Sequence, residues 1–109
     1  MIVIHSNIAT GIRVARLACH IAQNGFSPVT DGSYIRELEL GTKKPTLAKI
    51  DQLAAVMKLH PLTVLTLSYC QTPTVHEAAA MCAYVISEID RLRLGAAQSP
   101  GSFDSPPRS

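Results

Sequence analysis

The side chains able to do chemistry in this sequence are few and scattered. Cys19, Cys70 and Cys82 are odd in number, far apart and form no C-x-x-C pair. Neither a disulfide framework nor a zinc site is expected from them. Isolated cysteines of this kind are usually small buried hydrophobes, and a redox-sensing thiol would need exposure and a lowered pKa. His5, His20, His60 and His76 show no four-residue pairing and no neighbouring carboxylate constellation. There is no phosphate-cradling glycine loop and no nucleophile–base string. The expectation is a protein that is not an enzyme, with no cofactor and no metal.

Charge is more informative than reactivity. The net charge is only +2, but residues 1–69 hold seven Lys or Arg against four acids, and residues 70–109 hold three against four. The basic excess sits where a contact to an acidic partner such as nucleic acid could use it. Two adjacent cations, Lys43 and Lys44, lie in a turn between Gly41 and Pro45. Taken alone, such a turn is usually only a soluble turn.

The elements that must hold these residues can be read from punctuation and periodicity. At 109 residues there is room for one compact domain and a short extension. The apolar fraction is 47%, Trp is absent, and a core of Leu, Ile, Ala and Val suits packed helices. No apolar run approaches the ~18 residues of a membrane span, and the start lacks an export signal, so a cytoplasmic setting is expected.

A first helix over residues 7–23 would be capped by Ser6 and stopped at Asn24 and Gly25. Its apolar stripe is Ile8, Ile12, Ala15, Cys19 and Ala22, with Arg13 and Arg16 just off it, facing solvent or a partner. Gly11 leaves open a break. Asp31 can cap a short helix over residues 32–40 that Gly41 ends. Thr46 caps a third helix to about Met57, with Leu47, Ile50, Leu53, Ala54 and Met57 on one face. A fourth begins near Pro61 and points Leu62, Leu65 and Leu67 or Tyr69 at the core. Thr74 and Glu77 form a T-x-x-E capping box for a last amphipathic helix over residues 74–94. Residues 95–109 have the composition of a disordered tail. The expected fold is all-α, a compact bundle of about five helices.

The order of residues in the middle is more particular than a generic bundle needs. Tyr34, Ile35, Leu38, Glu39, Gly41, Pro45, Thr46, Leu47, Ile50, Leu53, Ala54 and Met57 match, in type and spacing, Y-I-S-x-L-E-x-G-x-x-x-P-S/T followed by L-x-x-L-A-x-x-L. In this the chain resembles the Cro and lambda-repressor type of helix-turn-helix transcription regulators, the xenobiotic-response-element family, over about forty residues. The resemblance implies that residues 1–69 form a DNA-binding domain whose helix from Gly32 enters the major groove. Gly32, Ser33, Arg36 and Glu37 would then be the base-reading set. Arg36 would suit guanine and Glu37 a cytosine amine. The alternative for Arg36 and Glu37 is an ordinary solvated pair.

Glu39 is expected to brace the turn, and Lys43 and Lys44 to touch phosphates. The Gly-Leu-Ser/Thr-Gln string of many members, whose Gln grips a phosphate, is absent. Arg13 or Arg16 would take over that contact. Family members often have Ser or Thr at the reading-helix cap; Asp31 here caps well but would repel a nearby phosphate, so either the register slips to Thr30 as cap and phosphate contact, or the docking differs.

One short reading helix covers few base pairs, so the resemblance also implies pairing on two half-sites. Val75, Ala79, Cys82, Val85, Ile86 and Ile89 on the last helix are the expected homodimer seam, with intramolecular packing of that stripe as the alternative. A second functional reading uses the same fold as an antitoxin-like or adaptor module, engaging a protein through the last helix or the tail.

Overall fold

A computed structural model of the chain describes residues 5–94. Residues 1–4 and the expected tail at 95–109 lie outside the described residues. Among the described residues the fold is all-α. The helices are α1 (Ile8–Ala18), α2 (Gly32–Leu40), α3 (Leu47–Met57), α4 (Pro61–Tyr69) and α5 (Val75–Arg91), with a single 3-10 turn (Gln23–Phe26) between α1 and α2.

Most boundaries follow from local caps. The Asp31 carboxylate accepts from the Tyr34 N–H at 2.9 Å, satisfying one of the donors a helix start leaves free. Gly41 closes α2 in the left-handed region at φ 82°, a conformation that favours glycine. The Thr46 hydroxyl accepts from the Lys49 N–H at 3.1 Å. Pro61 occupies the first turn of α4, and His60 Nδ1 accepts from the Leu62 N–H at 3.0 Å. At α5 only half the capping box forms. Thr74 accepts from the Glu77 N–H, but the Glu77 carboxylate reaches past Thr74 to the N–H groups of Gln71 and Thr72 and to the Thr72 hydroxyl. It thus ties down the α4–α5 connection.

The start of the fold differs from the sequence expectation in two ways. Asn7, not Ser6, caps α1, accepting from the Thr10 N–H at 3.1 Å. The helix also ends at Ala18 rather than Gln23. His20 turns into the left-handed region, and the Ile21 N–H returns to the Arg16 carbonyl. The Arg16 guanidinium then binds the Ile21 carbonyl at 2.9 Å, and Phe26 drops into the core with no exposed surface. Side-chain demands from α2 and the core therefore override five residues of helical pattern.

Gly11 does not break α1. A Cβ there would lie 2.8 Å from the Cβ of Ser68, so glycine is what lets α1 and α4 approach.

The core runs from Ile12 to Val64: Ile12 and Ala15 of α1, Phe26, Ile35 and Leu38 of α2, Ile50, Leu53, Ala54 and Met57 of α3, and Val64 of α4. Each large side chain fully buried contributes about 1.5–3 kcal/mol. The face of α4 is not the expected one: Val64 and Ser68 point inward, Leu65 and Leu67 are partly covered, and Leu62 is exposed. The apolar residues Leu62, Val64, Leu65 and Leu67 are spread around the circumference of α4, so periodicity gives no preferred side, and the close contact at Gly11 selects the small Ser68. Leu47, expected on the buried face of α3, is 69% exposed in the first turn. Helix α5 rests on α4 and buries none of its residues.

Candidate functional site

Helix α2 is held by Ile35 and Leu38, three residues apart and both fully buried. That orientation turns Ser33 and Arg36 to solvent and leaves Glu37 half-buried. The cap is Asp31, and Thr30 sits half-buried in the preceding turn, which resolves the register. Ser33 Oγ donates to Asp31 at 2.8 Å, so its oxygen lone pairs are what it offers a ligand. The Tyr34 N–H, then the Ser33 hydroxyl, and more weakly Lys43 hold the Asp31 carboxyl below the usual carboxylate range. Gly32, the fourth residue of the expected base-reading set, is half-buried at the start of α2. Its Cα faces Asn24, where a Cβ would sit 3.2 Å from that residue's backbone.

The turn after α2 folds Lys43 back over the helix. Lys43 pairs with Glu37 at 3.2 Å and lies 5.7 Å from the centre of the Tyr34 ring. Lys49, which the sequence did not bring forward, lies 5.6 Å from the same ring. Its position one turn past the Thr46 cap was the available signal. Pairs this exposed contribute at most about 1 kcal/mol each, so their value is in placing charge rather than in stability. Lys44 is exposed and has no acidic partner among the described residues.

Arg16 departs from expectation outright. It is buried rather than solvent-facing, and its guanidinium is engaged within the fold. Its Nε and Nη2 donate to the two Glu39 carboxylate oxygens at 2.6 and 3.0 Å, with side chains 9% and 6% exposed. Gln23 donates to the same carboxylate at 3.1 Å. The hydrogen bond to Glu39 raises the Arg16 pKa further above its usual value. Glu39 thus braces α2 against α1, while Arg13 stays exposed on the neighbouring face.

The expected seam residues Val75, Ala79, Cys82, Val85, Ile86 and Ile89 are all exposed, Ile86 at 66% and Val75 at 86%. Leu92 extends the same apolar side. On the side of α5 that meets α4, Ala78 and Cys82 line a shallow groove with Leu62, Thr63, Thr66 and Leu67, and Ala78 is half-buried. Cys19 and Cys70 are half-buried and Cys82 is exposed. Burial, with Glu77 and Cys82 nearby, pushes the Cys70 thiol up, which disfavours the thiolate. Among the described residues no group of three or more His, Cys, Asp or Glu is placed to hold a metal ion, and no helix is long and apolar enough to cross a membrane.

No family model, curated protein or solved structure matches the chain. The likeness to the Cro and lambda-repressor type rests on its own residues, and one departure is now visible in space. Between α1 and α2 the chain forms only the 3-10 turn Gln23–Phe26, where the resemblance implies a further helix.

Proposed function

We propose that the chain is a sequence-specific DNA-binding transcription regulator, a repressor type acting in the bacterial cytoplasm as a homodimer on two half-sites. The observation that carries it is the posture of α2: anchored by Ile35 and Leu38, it presents Ser33, Arg36 and Glu37 outward beside Lys43, Lys44 and Lys49. A helix presented polar side out with cations at its end fits a major groove flanked by phosphates.

In this reading Ser33 accepts from a base amine, since its own proton is committed to Asp31. Arg36 donates to guanine O6 and N7. Glu37 accepts from a cytosine amine once Lys43 swings to a phosphate. Lys44 and Arg13 neutralise backbone charge, and the apolar side of α5 joins two copies so that the reading helices reach successive turns of the duplex.

Selection of bound duplexes from a random pool, followed by affinity against salt, tests this. Arg36→Ala should cost about 1–3 kcal/mol on the preferred site and relax its preference, whereas Lys44→Ala should weaken all sequences alike and shallow the salt slope by about one. Equally weak binding of random and selected duplexes at every salt concentration would transfer the assignment to the antitoxin-like or adaptor reading, for which the exposed face of α5 is the supporting observation.

A further inference from the structure

Between α1 and α2 lies an open cleft of about 290 Å³ lined by Arg13, Arg16, Gln23, Arg36, Glu39 and Leu40. Its polar floor is already satisfied. Glu39 accepts two bonds from Arg16 and one from Gln23, and the third Arg16 nitrogen binds the Ile21 carbonyl. The two remaining cations, Arg13 from α1 and Arg36 from α2, are exposed and have no acidic partner among the described residues. The cleft therefore brings Arg13, Arg16 and Arg36 into one lining with Glu39, and only Arg16 of the three is paired with that carboxylate.

We propose that this cleft binds a phosphoryl-type oxyanion, held between the Arg13 and Arg36 guanidinium groups. A planar fork with several fixed donors suits the tetrahedral face of a phosphoryl group better than a single ammonium does. Neutralisation of Glu39 by Arg16 removes the charge that would otherwise repel the ligand. Two sources share this chemistry, a phosphate of the DNA backbone and a free phosphorylated small molecule. The site goes beyond the DNA-binding reading because it gives Arg36 a partner other than a base edge.

The test titrates the full chain, labelled with nitrogen-15, with sodium pyrophosphate at ionic strength held constant by sodium chloride. The arginine Nε–Hε signals are followed. Expected is a saturable shift of the Arg13 and Arg36 signals. Arg13→Ala and Arg36→Ala should each weaken pyrophosphate binding about tenfold or more, the scale of one charge-assisted pair. Lys58→Ala, an exposed cation at the far end of α3, should leave it unchanged. Both arginines are exposed, so circular dichroism should find the variants folded.

No saturable response beyond that of chloride would overturn the site, as would alanine variants that bind like the parent or a response centred on Lys43 and Lys44. Adding a short duplex then distinguishes the sources. Displacement of pyrophosphate, together with loss of duplex affinity in Arg13→Ala, assigns the oxyanion to the DNA backbone; retention of pyrophosphate beside the duplex assigns it to a free ligand. A chain that binds pyrophosphate but no duplex would remove the DNA reading and leave this site standing.

Discussion

Replacing Glu39 by Ala should be among the most damaging single changes in the chain. The side chain carries three accepted hydrogen bonds, and its removal leaves the Arg16 guanidinium, 9% exposed, with only the Ile21 carbonyl. Removing one partner of a buried pair typically costs about 3–5 kcal/mol because the other charge stays buried and uncompensated. The cleft beside the pair admits water once Glu39 is gone, which argues for the lower end, about 3 kcal/mol. A domain of this size is stable by about 5–10 kcal/mol in all, so the loss is a large share. At about 4–8 °C per kcal/mol, the melting temperature should fall by roughly 12–24 °C.

Urea unfolding followed by far-ultraviolet circular dichroism reads the cost directly, and the double variant Arg16→Met with Glu39→Leu separates its causes. If uncompensated charge is the cause, the apolar pair should recover most of the lost stability. A Glu39→Ala chain within about 1 kcal/mol of the parent would refute the reasoning, since that is the size of an exposed pair. A double variant no better than Glu39→Ala would show instead that the shape of the pair matters, not its charge.

Other outcomes follow from single contacts. Gly11→Ala should destabilise by about 1–3 kcal/mol despite the better helix propensity of alanine, because the new Cβ would strike Ser68; a gain in urea midpoint would disprove the close approach. The Asp31 and Glu77 carboxyls are held below their usual range, Asp31 first by the Tyr34 N–H and Glu77 first by the Thr72 hydroxyl. The unfolded chain therefore binds their protons more readily, so their contribution is complete above the ordinary carboxylate range and is lost as pH falls through and below it. Melting temperatures at pH 6 and pH 3 should accordingly differ more in the parent than in Asp31→Asn with Glu77→Gln, and equal differences would contradict the assignment. Ile86→Lys with Ile89→Glu should convert a dimer to a monomer by light scattering while leaving the core intact, because α5 supplies none of it; a persistent dimer would place the joint elsewhere.

The sequence by itself determined the parts of this protein that depend on neighbours within about four residues. Asp31, Gly41, Thr46, Pro61 and Thr74 mark helix ends because a cap is made by one side chain and the backbone beside it. Ile35 and Leu38 likewise fix which way α2 faces, so the outward posture of Ser33 and Arg36 was legible before any packing was known.

Tertiary structure alone decided the rest. Arg16 reads as a surface cation until Glu39, 23 residues away, takes it inward. Phe26, set among turn formers, reads as loop until the shortened α1 lets it enter the core. Gly11 reads as a weak point until Ser68 arrives beside it, and α4, whose apolar residues are spread around its circumference, has no inward face until α1 selects one. Even Lys49 joins the cationic rim only because α3 packs beside Tyr34. In each case the deciding partner lies far along the chain, where local propensity and periodicity carry no information about it.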